Sequence, residues 1–483
     1  MQRSVWDRAV VAWSVIRKGA VKIAPLLPKI LFCFSLIVMS SLYTYVGVRR
    51  HWFPFPYVEL ARKTALSYRM QEAARSKLSE RYVGMTDIPR KDADRRRIVN
   101  LSPSTLFPEN FLMTGDAYEY LRYCPGHGCL AAEFDRSGRL VHAYPFRADE
   151  FATKQTLSLP YETTLFAFDK DFRVNGLAKL PNGDLIVVFH QANTFPYGGG
   201  VARIDKQGHI VWYRHDYSHH WPTVLGSGEI AITSQTIAGP TLIGGSGRMS
   251  VTIDCGEKFG KDIIRILDMD GKELQVIPVL DALLASPYRS LMHVMEDQCD
   301  PTHLNYVRSV TPAIAAIVPG AVAGDLLISL RNLSAFAVVR RKDGKILQLF
   351  RGSFDHQHSV TPVANTTEVL IFDNWGVDRD AGPSRLLLYD LATGRERTIL
   401  PNKSMPRNAL FSSANGHIDV SSDGNRAVVA AAKAGLAYEV RLTDQAVLTK
   451  FDNLHDVSSA ANFPDNRQSK AARFQLPGVY YVQ

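Results

Sequence analysis

VARIDKQGHIVWY, residues Val201–Tyr213, sets an apolar strand, a polar turn closing on Gly208 and a second apolar strand side by side. Alternation resumed after a glycine-bearing turn is the signature of a β-hairpin. Five other stretches repeat it: AAEFDRSGRLVHAY (Ala131–Tyr144), IIRILDMDGKELQVI (Ile263–Ile277), FAVVRRKDGKILQLF (Phe336–Phe350), RLLLYDLATGRERTIL (Arg385–Leu400) and AYEVRLTDQAVLTKF (Ala437–Phe451). Their turn positions, Gly138, Gly208, Gly271, Gly344, Gly394 and Asp444, are separated by 70, 63, 73, 50 and 50 residues, a blade-like period with insertions. A second set of hairpins lies between them: LAKLPNGDLIVVF, PTVLGSGEIAI, AVAGDLLISL, VTPVANTTEVLIF and IDVSSDGNRAVVA. Two hairpins per repeat make a four-stranded blade, so the pattern predicts an all-β, six-bladed β-propeller. The missing sixth inner pair is expected from the C-terminal QLPGVYYVQ, which would close the ring and remove exposed sheet edges. A β-sandwich would need over 300 residues in one sandwich and leaves the period unexplained.

Upstream of the repeats the chain has a different character. Residues 1–100 hold 19 Lys/Arg against 7 Asp/Glu, whereas residues 101–483 hold 37 against 40, so the positive net charge of +9 comes from residues 1–100. A basic arm beside an apolar run suits anionic lipid, and the remainder lacks the basic field that nucleic-acid binding requires. Ile30–Val48 is free of charge and, at 19 residues, is long enough to cross about 30 Å of hydrocarbon as a helix. Both flanks of this span are basic, so the charge rule leaves its orientation open. The expected organisation is a basic arm (1–29), a transmembrane helix (30–48), a juxtamembrane helix and linker (49–115, with the helix over Tyr57–Glu80) and a propeller domain (116–483). Cys33 falls in the span. CPGHGC is expected to close as a Cys124–Cys129 disulfide and Cys255 to pair with Cys299, which suits an oxidising compartment; free buried thiols are the alternative.

In a propeller the innermost strand of each blade borders the central channel. Seven residues before the turns at Gly183, Asn365 and Gly424 stand Gly176, His358 and His417. His219 and His220 hold the comparable place in HHWPTVL, and His303 opens the remaining inner strand in THLNYV. One such histidine is ordinarily a hydrogen-bonded core residue, but four of five inner strands beginning this way, in a chain with 14 histidines, point to a shared site on the axis.

HLNYV after an Asp-Pro, QHSVTPV, and LIFDNWGVDR resemble the successive motifs of the arylsulfate sulfotransferase family, a likeness running over about residues 125–460. The resemblance implies a catalytic propeller that moves a sulfuryl group from an aryl sulfate donor to a phenol or other hydroxyl acceptor through a sulfo-histidine. Carried over by motif, it implies that His303, His358 and Arg379 hold the group; the blade position makes His417 the candidate nucleophile. His219, His220 and Asn374 are candidate substrate contacts. The arginine of FDNWGVDR comes one residue later than in the family pattern, which keeps Arg385 as a reserve. It also implies an exported site, hence an inner-membrane protein, single-pass, with its propeller in the periplasm.

Sulfuryl transfer carries three polarised oxygens through an in-line geometry, so it needs fixed cationic donors and a nucleophile uncharged at working pH. Arginine supplies the planar fork and neutral imidazole the nucleophile. No GxxxxGK[ST] loop is present, consistent with a nucleotide-independent donor; no cofactor and no metal is expected. Two rival readings remain open: a histidine–metal oxygenase propeller, and a non-catalytic binding propeller displayed on the membrane.

Overall fold

The computed structural model describes residues 27–50, 82–85, 98–102, 107–114, 123–154, 172–191, 199–238, 241–244, 250–253, 259–295, 297, 299–374, 384–406, 408–455 and 472–482. By internal contacts the chain divides into Met1–Ala73 and Ala74–Gln483. Within the first unit Leu27–Arg50 is a helix on which Leu31, Phe32, Phe34, Ile37 and Met39 are exposed. It contains the span expected at 30–48 as a transmembrane helix, but among the described residues no helix is long and apolar enough to cross a membrane. The expected helix over Tyr57–Glu80 lies outside the described residues.

The second unit is a six-bladed propeller. Blades two to five are antiparallel sheets of four strands in chain order, allowing for one inserted hairpin, Thr241–Gly244 with Ser250–Ile253, in blade three. Their innermost strands are Phe172–Lys179, His219–Val224, Leu304–Ser309 and His358–Pro362, and His417–Val420 opens blade six. In blade one the innermost strand is Val479–Val482, paired with Asn110–Thr114, so the C-terminus supplies the expected closing strand. Neighbouring inner strands touch one another around the axis. Blade six also gains an outer strand from upstream, Ile98–Asn100 against Phe451, Lys450 and Thr449. The sheets therefore reach back beyond the boundary expected at residue 116.

The turns explain why these segments fold as hairpins. Gly138, Gly208 and Gly271 take φ of 83°, 85° and 79°, a region that favours glycine. At Gly208 a Cβ would also stand 2.3 Å from the Pro145 carbonyl oxygen of the preceding blade. In the same three turns Asp135, Asp205 and Asp268 each accept two backbone N–H bonds through Oδ1, an Asx turn that fixes the reversal. The strands between bury their apolar faces against adjacent blades, as where Leu185, Val187 and Phe189 pack with Phe151 and Trp221.

A buried ion network joins the first and last blades. Arg426 donates to Glu109 at 2.9 and 3.1 Å and to Glu439 at 3.2 Å, while Arg136 forks onto Glu439 at 3.0 Å through both terminal nitrogens. Removing one partner of such a network leaves uncompensated charge in a dry setting. Arg426→Met is expected to lower stability by about 3–5 kcal/mol in urea unfolding, and a change below about 1 kcal/mol would contradict this closure.

Cys124 and Cys129 are disulfide-bonded with Cα atoms 5.4 Å apart. Cys299 is also disulfide-bonded, and its expected partner Cys255 lies outside the described residues. Cys33 is free.

Candidate active site

The inner strands of blades three, four and five begin irregularly. His220, His303 and Ser359 have φ of 58°, 45° and 52°, and the ladders slip between His219 and Thr223, Leu304 and Tyr306, and His358 and Thr361. Non-glycine residues in this region cost about 1–3 kcal/mol each and gather where backbone must re-aim a side chain. Here they turn His220, His303 and His358 toward one another. Ring centroids stand 5.2 Å apart for His220–His303, 5.8 Å for His220–His358 and 6.3 Å for His303–His358. One ring nitrogen from each lies within 4.8 Å of the others, so among the described residues these three could hold a metal ion.

Each ring is fixed from behind. His303 Nδ1 meets the Asp300 carboxylate at 2.5 Å, and His358 Nδ1 meets Asn374 Oδ1 at 2.6 Å. Asn374 Nδ2 donates to the Ser412 and Asn415 carbonyls at 2.8 and 2.9 Å, which fixes the flip of the amide and directs its oxygen to His358. His219 Nδ1 meets His220 Nδ1 at 2.6 Å, with His219 Nε2 3.7 Å from Asp262 Oδ1. Gln235 Nε2 ties the two carboxylates together, at 2.9 Å from Asp262 and 3.0 Å from Asp300. Burial, reinforced by the Arg331 guanidinium and by His303, holds His358 well below its ordinary 6.5.

The motif residues next to the histidines serve the scaffold. Asn305 Nδ2 donates to the Gln357 carbonyl at 2.8 Å, locking blade four to blade five, and Gln357 Nε2 donates to the Ala335 carbonyl at 2.7 Å. Asp373 is the ion partner of Arg385, at 2.6 Å.

His417 stands apart from the three. Its ring is fully buried among Trp221, Tyr306 and Tyr480, at centroid distances of 5.4, 6.2 and 4.4 Å, and Trp221 lies between it and His358, 6.2 Å from the latter. Neither ring nitrogen has a hydrogen-bond partner of acceptable geometry; the backbone of Val479 faces the ring and favours its protonation slightly. Burial first, then Arg308, holds His417 well below 6.5. Arg308 is itself fixed over the Tyr306 ring at 4.5 Å and by Thr223 Oγ1 at 2.7 Å.

The structure thus brings together His303, His358 and His220 of the expected set, places Asn374 and His219 behind them, and puts His417 across Trp221. Arg385 begins its strand paired with Asp373 and bonded to the Ser353 carbonyl at 2.7 Å. Arg379 lies outside the described residues. Sequence reasoning passed over Asp262, Asp300, Trp221 and Tyr480. Only Asp300, three residues before His303, left a local signal.

Two neutral buried imidazoles set the sign of a pH dependence. Above pH 6.5 folded and unfolded chains are alike in their charge at His358 and His417. Below it the unfolded chain takes up protons that the folded chain excludes, so stability falls with a slope of up to about 1.4 kcal/mol per pH unit per group. The urea midpoint is expected to drop between pH 7 and pH 5.5, and to drop less in a His358→Gln, His417→Gln double variant; equal slopes in both proteins would contradict the assignment.

A family profile described as Arylsulfotransferase (ASST) matches residues 176–453, more than half of the chain. No curated protein sequence matches it. Among solved structures, a protein of unknown function from Bacteroides caccae is similar at 10% identity and TM-score 0.43, over 78% of this chain and 99% of that one. TolB from Acinetobacter baumannii is similar at 12% identity and TM-score 0.39, over 77% and 66%. Virginiamycin B lyase from Staphylococcus aureus is similar at 10% identity and TM-score 0.32, over 57% and 68%.

Proposed function

Since the chain belongs to the arylsulfotransferase family, we propose that it moves a sulfuryl group from an aryl sulfate to a hydroxyl acceptor, with His417 as the residue transiently sulfated. A ring nitrogen of His417 attacks sulfur in line, the bond from sulfur to the aryl oxygen breaks, and the phenol leaves. The acceptor hydroxyl then attacks the sulfo-histidine, loses its proton and restores the neutral imidazole. The motif resemblance assigns His303, His358 and Arg379 to the sulfuryl oxygens while charge develops; this requires the Trp221 indole, which separates His358 from the buried His417, to move aside, and His358 to take a proton on Nε2, since its Nδ1–H is spent on Asn374.

The observation that carries this reading is the division of labour among the axial histidines. His303 and His358 are pinned through Nδ1 by side chains, whereas His417 is a buried neutral ring with no side-chain partner at either nitrogen and only the Val479 backbone facing it. An unpaired buried polar group calls for a functional reason, and a lone pair kept out of hydrogen bonds and protons is what an attacking imidazole needs. The direct test is purified protein with a chromogenic aryl sulfate, with and without an added phenol. Sulfated phenol formed in step with release of the chromophore is expected; release unaffected by phenol, or none, would overturn the reading.

Export of the propeller is supported by the Cys124–Cys129 disulfide, while attachment to the inner membrane rests only on the uncharged run Ile30–Val48 in the sequence, since no described helix is long and apolar enough to cross. A reporter active only in the periplasm, fused to the C-terminus, is expected to score; activity of a cytoplasm-only reporter would reverse the topology.

A further inference from the structure

We propose that the axial channel holds a second ligand site, at the end of the inner strands away from the histidine cluster, which takes a small zwitterion: an α-amino acid with an apolar side chain. Side chains two apart on a strand face the same way. Tyr306 and Arg308, His417 and Asp419, and Tyr480 and Val482 therefore stand in successive layers along the axis. In the first layer Tyr306, His417 and Tyr480 are buried rings packed with Trp221, and Trp221 in turn meets His220 and His358. In the second lies a cavity of about 430 Å³, lined from the inner strand of every blade but the fifth, by Leu177, Pro222, Arg308, Asp419, Tyr480 and Val482 among others.

Three charged side chains line this cavity. Lys179 is met by Glu133 at 2.7 Å. Arg308 is held by neutral groups, Thr223 Oγ1 at 2.7 Å and the Tyr306 hydroxyl, which use two of its five N–H groups. Asp419 accepts the Tyr481 backbone N–H at 2.9 Å, and burial, which Arg308 only partly offsets, pushes its carboxyl above the ordinary value. Among the described residues no ion pair joins Arg308 to Asp419, so a positioned cation and a positioned anion face one cavity. A ligand carboxylate suits the guanidinium as a charge-assisted pair, and a ligand ammonium suits Asp419. Leu177, Pro222, Val482 and the Tyr480 ring supply apolar walls, the usual make-up of a small-molecule site with a few convergent polar groups. A ligand with one charge alone would leave the opposite group covered and unpaired, a cost that a zwitterion avoids. The site does not depend on the sulfuryl-transfer reading.

The test is isothermal titration calorimetry of the full-length protein with L-phenylalanine and L-leucine. One amino acid per chain is expected. On the same protein 3-phenylpropionate and phenethylamine, which each lack one of the two charges, are expected to bind about 30-fold more weakly than L-phenylalanine or worse, the scale on which a buried charge left without its partner is felt. Arg308→Gln, and Asp419→Asn, which keeps an oxygen for the Tyr481 N–H, are expected to weaken L-phenylalanine by a similar factor. Because the two analogues are measured on the parent protein, a folding failure in a variant cannot imitate the result. No binding of either amino acid at millimolar concentration would overturn the site, as would analogues that bind as well as L-phenylalanine. An excess of a chromogenic aryl sulfate is expected to leave amino-acid binding unchanged; displacement would make the cavity part of the donor site and overturn the second site.

Discussion

Replacing His417 with Asn is expected to lower kcat for aryl sulfate turnover by about 10⁴-fold or more, the scale on which loss of a covalent nucleophile is felt. Asparagine keeps a polar group between Trp221 and Tyr480, and a retained far-UV circular dichroism spectrum separates loss of the imidazole from the effect of the smaller side chain. The variant should still bind the donor, because the groups assigned to hold the sulfuryl oxygens are untouched. If the variant turns over at a rate within tenfold of the parent, the attacking residue lies elsewhere, and His358, neutral and oriented by Asn374, becomes the candidate.

Arg379→Lys is expected to slow formation of the sulfo-enzyme by about 10²–10³-fold, the cost of losing one preorganised donor to developing charge. Lysine keeps the positive charge but cannot present the planar fork that matches two sulfuryl oxygens. Arg385→Lys is the informative control. Arg385 is ion-paired to Asp373 and bonded to Ser353 at the start of its strand, so its substitution should change stability more than rate. A large rate loss in Arg385→Lys with none in Arg379→Lys would exchange their roles and locate the family's arginine one motif later.

Much of this architecture is written locally. An aspartate three residues before a glycine fixes the Asp135, Asp205 and Asp268 turns through its own carboxylate, so the hairpins that contain them need no tertiary information to be read. The count of inner pairs exposed the need for a closing strand, and Val479–Val482 supplies it. Ile98–Asn100 left no comparable trace, because three residues on an outer edge carry too little alternation to announce a strand. The axial histidines were legible from their step in the repeat, but which of the adjacent His219 and His220 faces the site was not. That choice is made by the left-handed backbone of His220, which depends on how the bulged strand packs. Likewise Asp262 reaches His219 across blade three, a tertiary contact without a sequence spacing to reveal it. The separation of His417 from the others has the same origin, since it depends on where the Trp221 indole comes to rest.

The central claim is a covalent sulfo-enzyme, and trapping it is the most direct measurement. The protein is mixed with a chromogenic aryl sulfate and no acceptor, quenched without acid, and digested for peptide mass spectrometry. A burst of one chromophore per active site and one sulfuryl group on the peptide carrying His417 are expected. Steady release of chromophore with no burst and no labelled histidine, or a label confined to another residue, would contradict it.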